Sequence, residues 1–221
     1  MEGAKSVVEL LHADFEVTWL AATPAFVAEH AALLERRKIE TTPATADELA
    51  QLGTFQSNDA CLAVATMKPN VFGGIEDGFA LVLDDLRDPG NLGTIIRTAD
   101  WYGIRTLVAS EETADCYNPK TINATMGSFC RVNVFYTSLP DFLSRQELPI
   151  FGASMDGHDV HQVDFGTRGL IVIGNESNGI SADTARWIKH KITIPRLGGA
   201  ESLNAAIATG IVLDNVFRSK K

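Results

Sequence analysis

Short apolar runs without alternation recur along the second part of the chain, at Phe79–Leu83, Thr106–Ala109, Val132–Phe135, Ile150–Ala153, Leu170–Ile173 and Ile192–Ile194. Such runs fit strands covered on both faces, where neither side meets solvent and alternation has no use. Between them the pattern predicts helices over Leu92–Tyr102, Pro119–Ser128, Pro140–Arg145 and Ala182–Lys189, with a long final helix from about Leu203 to Phe217. Strand alternating with helix predicts an α/β fold, a mainly parallel sheet covered by helices on both sides.

The first stretch reads differently. It predicts a helix over Lys5–His12, a strand over Glu16–Leu20, a helix over Pro24–Arg37 and a strand over Cys61–Thr66, which together make a small α/β unit. Met67-Lys68-Pro69-Asn70-Val71-Phe72-Gly73-Gly74 then combines proline, asparagine and a glycine pair, the chemistry of a turn or linker. The expected domains are therefore 1–72 and 75–221. There is no internal repeat and no low-complexity segment.

Composition narrows the class. With 221 residues, 45% hydrophobic and 21% charged, the chain can fill one large core or two modest ones, which excludes disordered and fibrous classes. No apolar run approaches the roughly 18 residues that cross a bilayer, and Met1-Glu2-Gly3-Ala4-Lys5 lacks a signal peptide's layout, so a soluble cytosolic protein is expected. Cys61, Cys116 and Cys130 share no metal-binding spacing and read as reduced, packed thiols, and no metal is expected.

The net charge of -9 opposes a nucleic-acid partner at long range, because phosphate contacts need positive charge. Local clusters survive at Glu35-Arg36-Arg37-Lys38 and Arg218-Ser219-Lys220-Lys221, with single cations at Arg87, Arg97, Lys120, Arg131 and Arg196. Each of these reads by itself as a solvated face.

In a parallel sheet the ligand site lies outside the carboxyl ends of the strands, so the loops after strands are where function is sought. Three stand out. The first runs from Leu83 to Ala99; Asn91 reads as the N-cap of its helix, and Arg97 sits roughly 200° around that helix from Ile95, away from its own sheet. The ordinary reading of Arg97 is a surface arginine paired with Asp100 or Trp101, at i+3 and i+4. The second, Gly174-Asn175-Glu176-Ser177-Asn178-Gly179-Ile180-Ser181, brackets small polar residues with glycines, so its backbone can approach a ligand or simply turn into a helix capped by Ser181 or Asp183. It fits neither the dinucleotide nor the Walker fingerprint. In the third, Ile194-Pro195-Arg196-Leu197-Gly198-Gly199-Ala200-Glu201-Ser202-Leu203-Asn204, Ser202 reads as a helix cap and Asn204 as a first-turn residue with local cost and no local benefit.

In this order and at these distances the three segments resemble the signature motifs of the SpoU (TrmH-like) RNA 2′-O-ribose methyltransferases of the SPOUT superfamily. Asn91 and Arg97 match N-x-x-x-x-x-R, Gly174–Gly179 match G-N-E-x-x-G, and Ile194–Asn204 match I-P-x-x-x-x-x-S-L-N. The likeness covers Phe79–Phe217, and Tyr117–Ser128 looks like the family's second helix region. Residues 1–72 look like its small RNA-binding domain, with the first strand shortened or absent. The position after Ile194-Pro195 holds Arg196 where relatives often carry methionine, and Asn123 stands where many carry arginine.

The resemblance implies S-adenosylmethionine as cofactor, transfer RNA or ribosomal RNA as substrate, a carboxyl-terminal trefoil knot and a homodimer in which one subunit's arginine reaches its partner's cofactor. It implies catalytic roles for Asn91, Arg97, Glu176, Ser202 and Asn204, and cofactor contacts from Ser154, Gly174, Asn175, Ile194 and Leu203. A guanidinium is a poor base at neutral pH, so Arg97 is expected to hold the adjacent phosphate and stabilise developing alkoxide charge, with deprotonation left open. The competing readings are an RNA-binding or ribosome-assembly protein of the same fold without turnover, and a nicotinamide-dependent dehydrogenase, which lacks its glycine fingerprint.

Overall fold

In the computed structural model, which describes residues 1–75 and 78–218, the chain divides into two units: Met1–Pro69 with Met126–Cys130, and Asn70–Thr125 with the residues from Arg131 on.

The first unit runs α1 (Ala4–His12), β1 (Val17–Ala22), α2 (Pro24–Glu29), α3 (Ala31–Arg37), β2 (Thr42–Pro43), α4 (Ala46–Leu52) and β3 (Cys61–Ala65). Its sheet has the order β2-β1-β3, with β2 parallel and β3 antiparallel to the central strand. Val7, Leu10 and Leu11 of α1, Leu20 of β1 and Leu49 of α4 are buried. The single helix predicted over Pro24–Arg37 is two, because His30 leaves the helical region at φ -110° and both closes α2 and opens α3. The pattern also missed α4, although its signal was present: Thr45 and Glu48 form a capping box, each side chain bonding the other's backbone amide.

The second unit carries β4 (Phe79–Leu83), α5 (Pro89–Trp101), β5 (Thr106–Ala109), α6 (Pro119–Thr125), β6 (Asn133–Tyr136), α7 (Leu139–Ser144), β7 (Ile150–Asp159), β8 (Gly169–Ile173), α8 (Ala182–Ala185), β9 (His190–Thr193) and α9 (Ala205–Arg218). Its six strands lie in the order β6-β5-β4-β8-β7-β9, and every neighbouring pair is parallel. The α/β class with a parallel sheet is therefore as the apolar runs predicted. All residues of β4, β5 and β8 are buried. On one face Ala80, Val82, Leu170 and Val172 pack with Leu139 and Leu143 of α7. On the other, Phe79 meets Phe217 of α9 edge-on at 6.0 Å between ring centroids.

Several ends differ from the pattern for local reasons. Helix α6 stops at Thr125 because Met126 and Gly127 follow at φ 51° and 95°. Helix α8 is one turn long, and the chain continues in tighter turns, Trp187 bonding Thr184 and Ile188 bonding Ala185. Strand β7 extends to Asp159 through an irregularity in which Ala153 and His158 both pair with Ile192. Strand order decides where a ligand can sit. From β4 the sheet grows through β5 to β6 on one side, and β8, β7 and β9 fill the other, so the direction reverses between β4 and β8. A crevice opens at such a reversal, outside the carboxyl ends of the two strands.

Candidate active site

The residues leaving the carboxyl ends of β4 and β8 converge on Asn91. Helix α5 begins at Pro89, and its N-cap is Asp88, whose carboxylate accepts from the Asn91 amide at 2.8 Å. Asn91 is thus not the cap that its residue type suggested. Proline at the first helical position and aspartate just before it do that work. The Asn91 side chain is left to work across loops: its Nδ2 donates to Glu176 Oε1 at 2.5 Å, and its Oδ1 accepts from Asn204 Nδ2 at 2.8 Å. Asn204 in turn holds α9, its Oδ1 accepting from the Ala206 and Ile207 amides at 2.9 and 3.3 Å. The cap expected of Ser202 is therefore made by Asn204, which has the local benefit that the sequence did not reveal, and Ser202 lies exposed before it.

The 174–181 loop is shaped by its own polar groups. The Asn175 and Gly179 backbones exchange hydrogen bonds at 3.0 and 2.9 Å. Asn175 Oδ1 accepts from the Ser177 and Asn178 amides at 2.9 and 3.1 Å, a side chain standing in for a backbone turn. A Cβ at Gly174 would fall on the Gly179 and Ile180 backbone, so this position admits glycine alone. Ser181 caps α8, Thr184 donating to its hydroxyl at 3.4 Å.

Arg97 stands apart from these contacts. It is exposed on α5 and makes no hydrogen bond or ion pair with any described residue. Its expected partner Asp100 is bound instead by Arg131, at 2.8 Å from Nη2. Trp101, one turn beyond Arg97, is 84% exposed. Other single cations are engaged, Arg87 with Asp85 at 2.7 Å and Lys120 with Asp88 at 2.8 Å. The Lys120 ammonium, followed by the Asn91 amide, holds the Asp88 carboxyl below the usual carboxylate range. In the first unit Arg37 donates to the Phe15 carbonyl at 2.6 Å. Of the tail cluster, Ser219, Lys220 and Lys221 lie outside the described residues.

Of the remaining expected cofactor residues, Ser154 lies within β7, where the pairing with β9 is irregular, and Ile194 and Leu203 lie on the loop after β9. Ser154 is half-buried and donates to Asp156 at 2.9 Å, Ile194 is half-buried just past β9, and Leu203 is exposed before α9. Met155 of β7 and Leu197 and Leu203 of the loop after β9 expose their apolar side chains. No three His, Cys, Asp or Glu side chains among the described residues are placed to hold a metal ion, and no described helix is long and apolar enough to cross a membrane. The cysteines are free, and burial pushes the Cys61 and Cys116 thiols up to about 12 and about 11. A 330 Å³ cavity lined by Phe151, His158, Asp164 and His190 draws on the sides of β7 and β9 and holds none of the expected catalytic or cofactor residues.

Sequence reasoning did not single out Asp84, Asp88 or Asp85. The Asp-Pro-Gly-Asn order at 88–91 is a readable cap signal, whereas the Ser181 partner of the Asp84 carboxylate and the Asn175 partner of the Asp85 carbonyl lie 97 and 90 residues away and leave no local trace.

Comparison with known proteins shows the family of the chain. The model of the SpoU rRNA methylase family matches residues 78–214. The 23S rRNA (guanosine(2553)-2′-O)-methyltransferase RlmP of Bacillus subtilis is 33% identical over 137 residues, 60% of this chain and 55% of that protein. The 23S rRNA (uridine(2479)-2′-O)-methyltransferase of Streptomyces viridochromogenes is 31% identical over 204 residues, 85% of this chain and 70% of that one. Among solved structures, the AdoMet-bound rRNA methyltransferase from Sinorhizobium meliloti superposes with a TM-score of 0.87 at 28% identity, covering 99% of this chain and 86% of that one.

Proposed function

The chain belongs to the SpoU rRNA methylase family, and from that premise we propose that it transfers a methyl group from S-adenosylmethionine to a ribose 2′-hydroxyl of ribosomal or transfer RNA. The observation that carries this is the Asn91 hub, which ties together the loops after β4, β8 and β9 through Glu176 and Asn204. The named activities of the Bacillus and Streptomyces relatives favour 23S rRNA.

The bound cofactor supplies an electrophilic methyl group on a sulfonium. The chain's own residues do the rest. The backbone of Gly174, Asn175, Ile194 and Leu203, with Ser154, would hold the cofactor, and Asn91, Glu176, Ser202 and Asn204 would orient the ribose toward it. Arg97 binds the neighbouring phosphate and stabilises charge developing on the 2′-oxygen. Its side chain has no hydrogen-bond or ion-pair partner among the described residues, which suits a homodimer in which it completes the other subunit's site. Residues 1–72 serve as the RNA-binding domain, 75–221 as the catalytic domain with its carboxyl-terminal knot, and the enzyme works in the cytoplasm.

The test is incubation of the protein with S-adenosylmethionine and ribosomal or transfer RNA, followed by mass spectrometry of the nucleosides. A 2′-O-methylated nucleoside, lost in Arg97→Ala, is expected. RNA binding with no methylated nucleoside in any RNA would favour an assembly protein of the same fold.

A further inference from the structure

We propose that Asp84 is a positioning residue, which locks the far end of the 174–181 loop in the shape that receives the cofactor; this rests on the cofactor-binding reading of that loop. Asp84 is the first residue past β4 and is only 4% exposed. Its Oδ2 accepts from the Ser181 amide at 2.8 Å. Among the described residues this is the carboxylate's sole hydrogen bond, and no cation pairs with it. A buried carboxylate without a counter-ion is a poor device for stability, since burying charge is costly unless it is paired. What it does accomplish is geometric.

Its neighbour completes the device. The Asp85 carbonyl accepts from Asn175 Nδ2 at 2.8 Å, so consecutive residues of one turn grip the loop at Asn175 and again at Ser181. Asp85 adopts the left-handed conformation at φ 55°, which aspartate tolerates better than most non-glycine residues and which local contacts hold in place. Its amide donates to Ser110 Oγ at 3.0 Å, and Arg87 binds its carboxylate. The same turn leads through Asp88 into α5, which carries Asn91 and Arg97. One rigid corner therefore sets the cofactor loop and the proposed RNA-facing helix against each other.

The test is calorimetric titration of the purified full chain with S-adenosylmethionine, alongside steady-state methylation and melting curves. Asp84→Ala is expected to weaken cofactor binding about tenfold or more, as loss of a charge-assisted hydrogen bond implies, while the RNA KM stays within about threefold. Asp84→Asn retains an acceptor for the Ser181 amide and is expected to recover affinity to within about threefold of wild type. A folded Asp84→Ala protein with wild-type cofactor affinity overturns the inference, as does an Asp84→Asn protein as defective as the alanine variant.

Should Asp84→Ala not fold, Ser181→Pro removes the same hydrogen bond from the donor side at a residue whose φ of -61° suits proline. With Ser181→Ala as control for the lost helix cap, weakened cofactor binding in the proline variant alone is expected, and equal binding in both overturns the inference. Wild-type protein that binds no S-adenosylmethionine would instead overturn the functional reading itself, and the inference with it.

Discussion

The loops that follow β8 and β9 leave the same end of one sheet, yet they are built in opposite ways. The 174–181 loop is tied at almost every residue: Asn175 to two amides ahead of it and to Asp85, Glu176 to Asn91, Gly179 back to Asn175, and Ser181 to Asp84. In the 194–204 loop, Leu197 is wholly exposed, Gly198 and Gly199 face open space, and Arg196 reaches the Ala200 carbonyl at 3.3 Å. Structure returns to that loop at Asn204. The first loop is thus held in shape by its own hydrogen bonds, and the second has few such ties. Pre-organised groups bind without an ordering cost, whereas uncommitted ones can adapt.

The contrast is broken most severely at Gly174. Gly174→Val places its first side-chain carbon on the loop's own backbone at Gly179 and Ile180, so the defect passes through the loop's shape before it concerns any ligand. A loss of about 3 kcal/mol or more is expected, as for other substitutions that force backbone apart, together with loss of S-adenosylmethionine binding. Chemical denaturation and calorimetry measure the two. A variant of unchanged stability would mean that the loop is not closed in the way described.

Asn204 comes next, because it is where the open loop regains order. Asn204→Ala removes the cap of α9 and the link to Asn91, for an expected loss of about 1 to 2 kcal/mol. Asn204→Asp keeps the cap acceptor and loses the donor to Asn91. It should therefore retain most of the stability while methylation falls. If both variants lose stability equally, the link to Asn91 rather than the cap holds the helix.

How much of this was legible in the sequence follows from the range of the interactions. Strands β4 and β8 could be read because burial on both faces leaves an unbroken apolar run, as in Phe79–Leu83 and Leu170–Ile173. The break at His30 carries no proline or glycine, and β2 is two residues long, so neither gives a periodic signal. Caps were half-legible: Ser181 was among the candidates, whereas Asn91 and Ser202 were favoured over Asp88 and Asn204, which lie three residues earlier and two later. The hub joining Asn91, Glu176 and Asn204 spans 85 and 113 residues of chain, and only the family resemblance had grouped them. The corner at Asp84 and Asp85 had no such guide.

Asp88 lets the helix that carries Arg97 be tested by pH. Asp88→Ala should cost about 1 kcal/mol at neutral pH through loss of the α5 cap. Because Lys120 and the Asn91 amide lower the native carboxyl's pKa, the native state holds its proton less tightly than the unfolded chain. The contribution is therefore full above the unfolded value of about 4 and is lost as pH falls through the lower native one. The gap in stability between wild type and variant should be constant from neutral pH to about 5 and should shrink below about 4. A gap that widened in acid would mean that the carboxyl is stabilised in its protonated form.

The smallest expected effect has the opposite sign, and it bears most directly on the open loop. Gly199 has open space around the position of a Cβ and no positive φ, so alanine fits its backbone without strain. In Gly199→Ala the unfolded chain loses some conformational freedom that the native loop does not need, and stability should rise by up to about 0.5 kcal/mol. Gly174 and Gly199 are thus the same residue type in two loops with contrary demands, one irreplaceable because backbone crowds it and one replaceable because nothing does. Cofactor binding sharpens the distinction further. If the 194–204 loop closes over the ligand with its backbone in contact, Gly199→Ala should weaken S-adenosylmethionine binding even as it stabilises the free protein, and melting curves with and without cofactor would separate the two effects. A variant less stable than wild type by about 1 kcal/mol or more would mean that Gly199 is crowded in the free protein, and the contrast between the loops would fail.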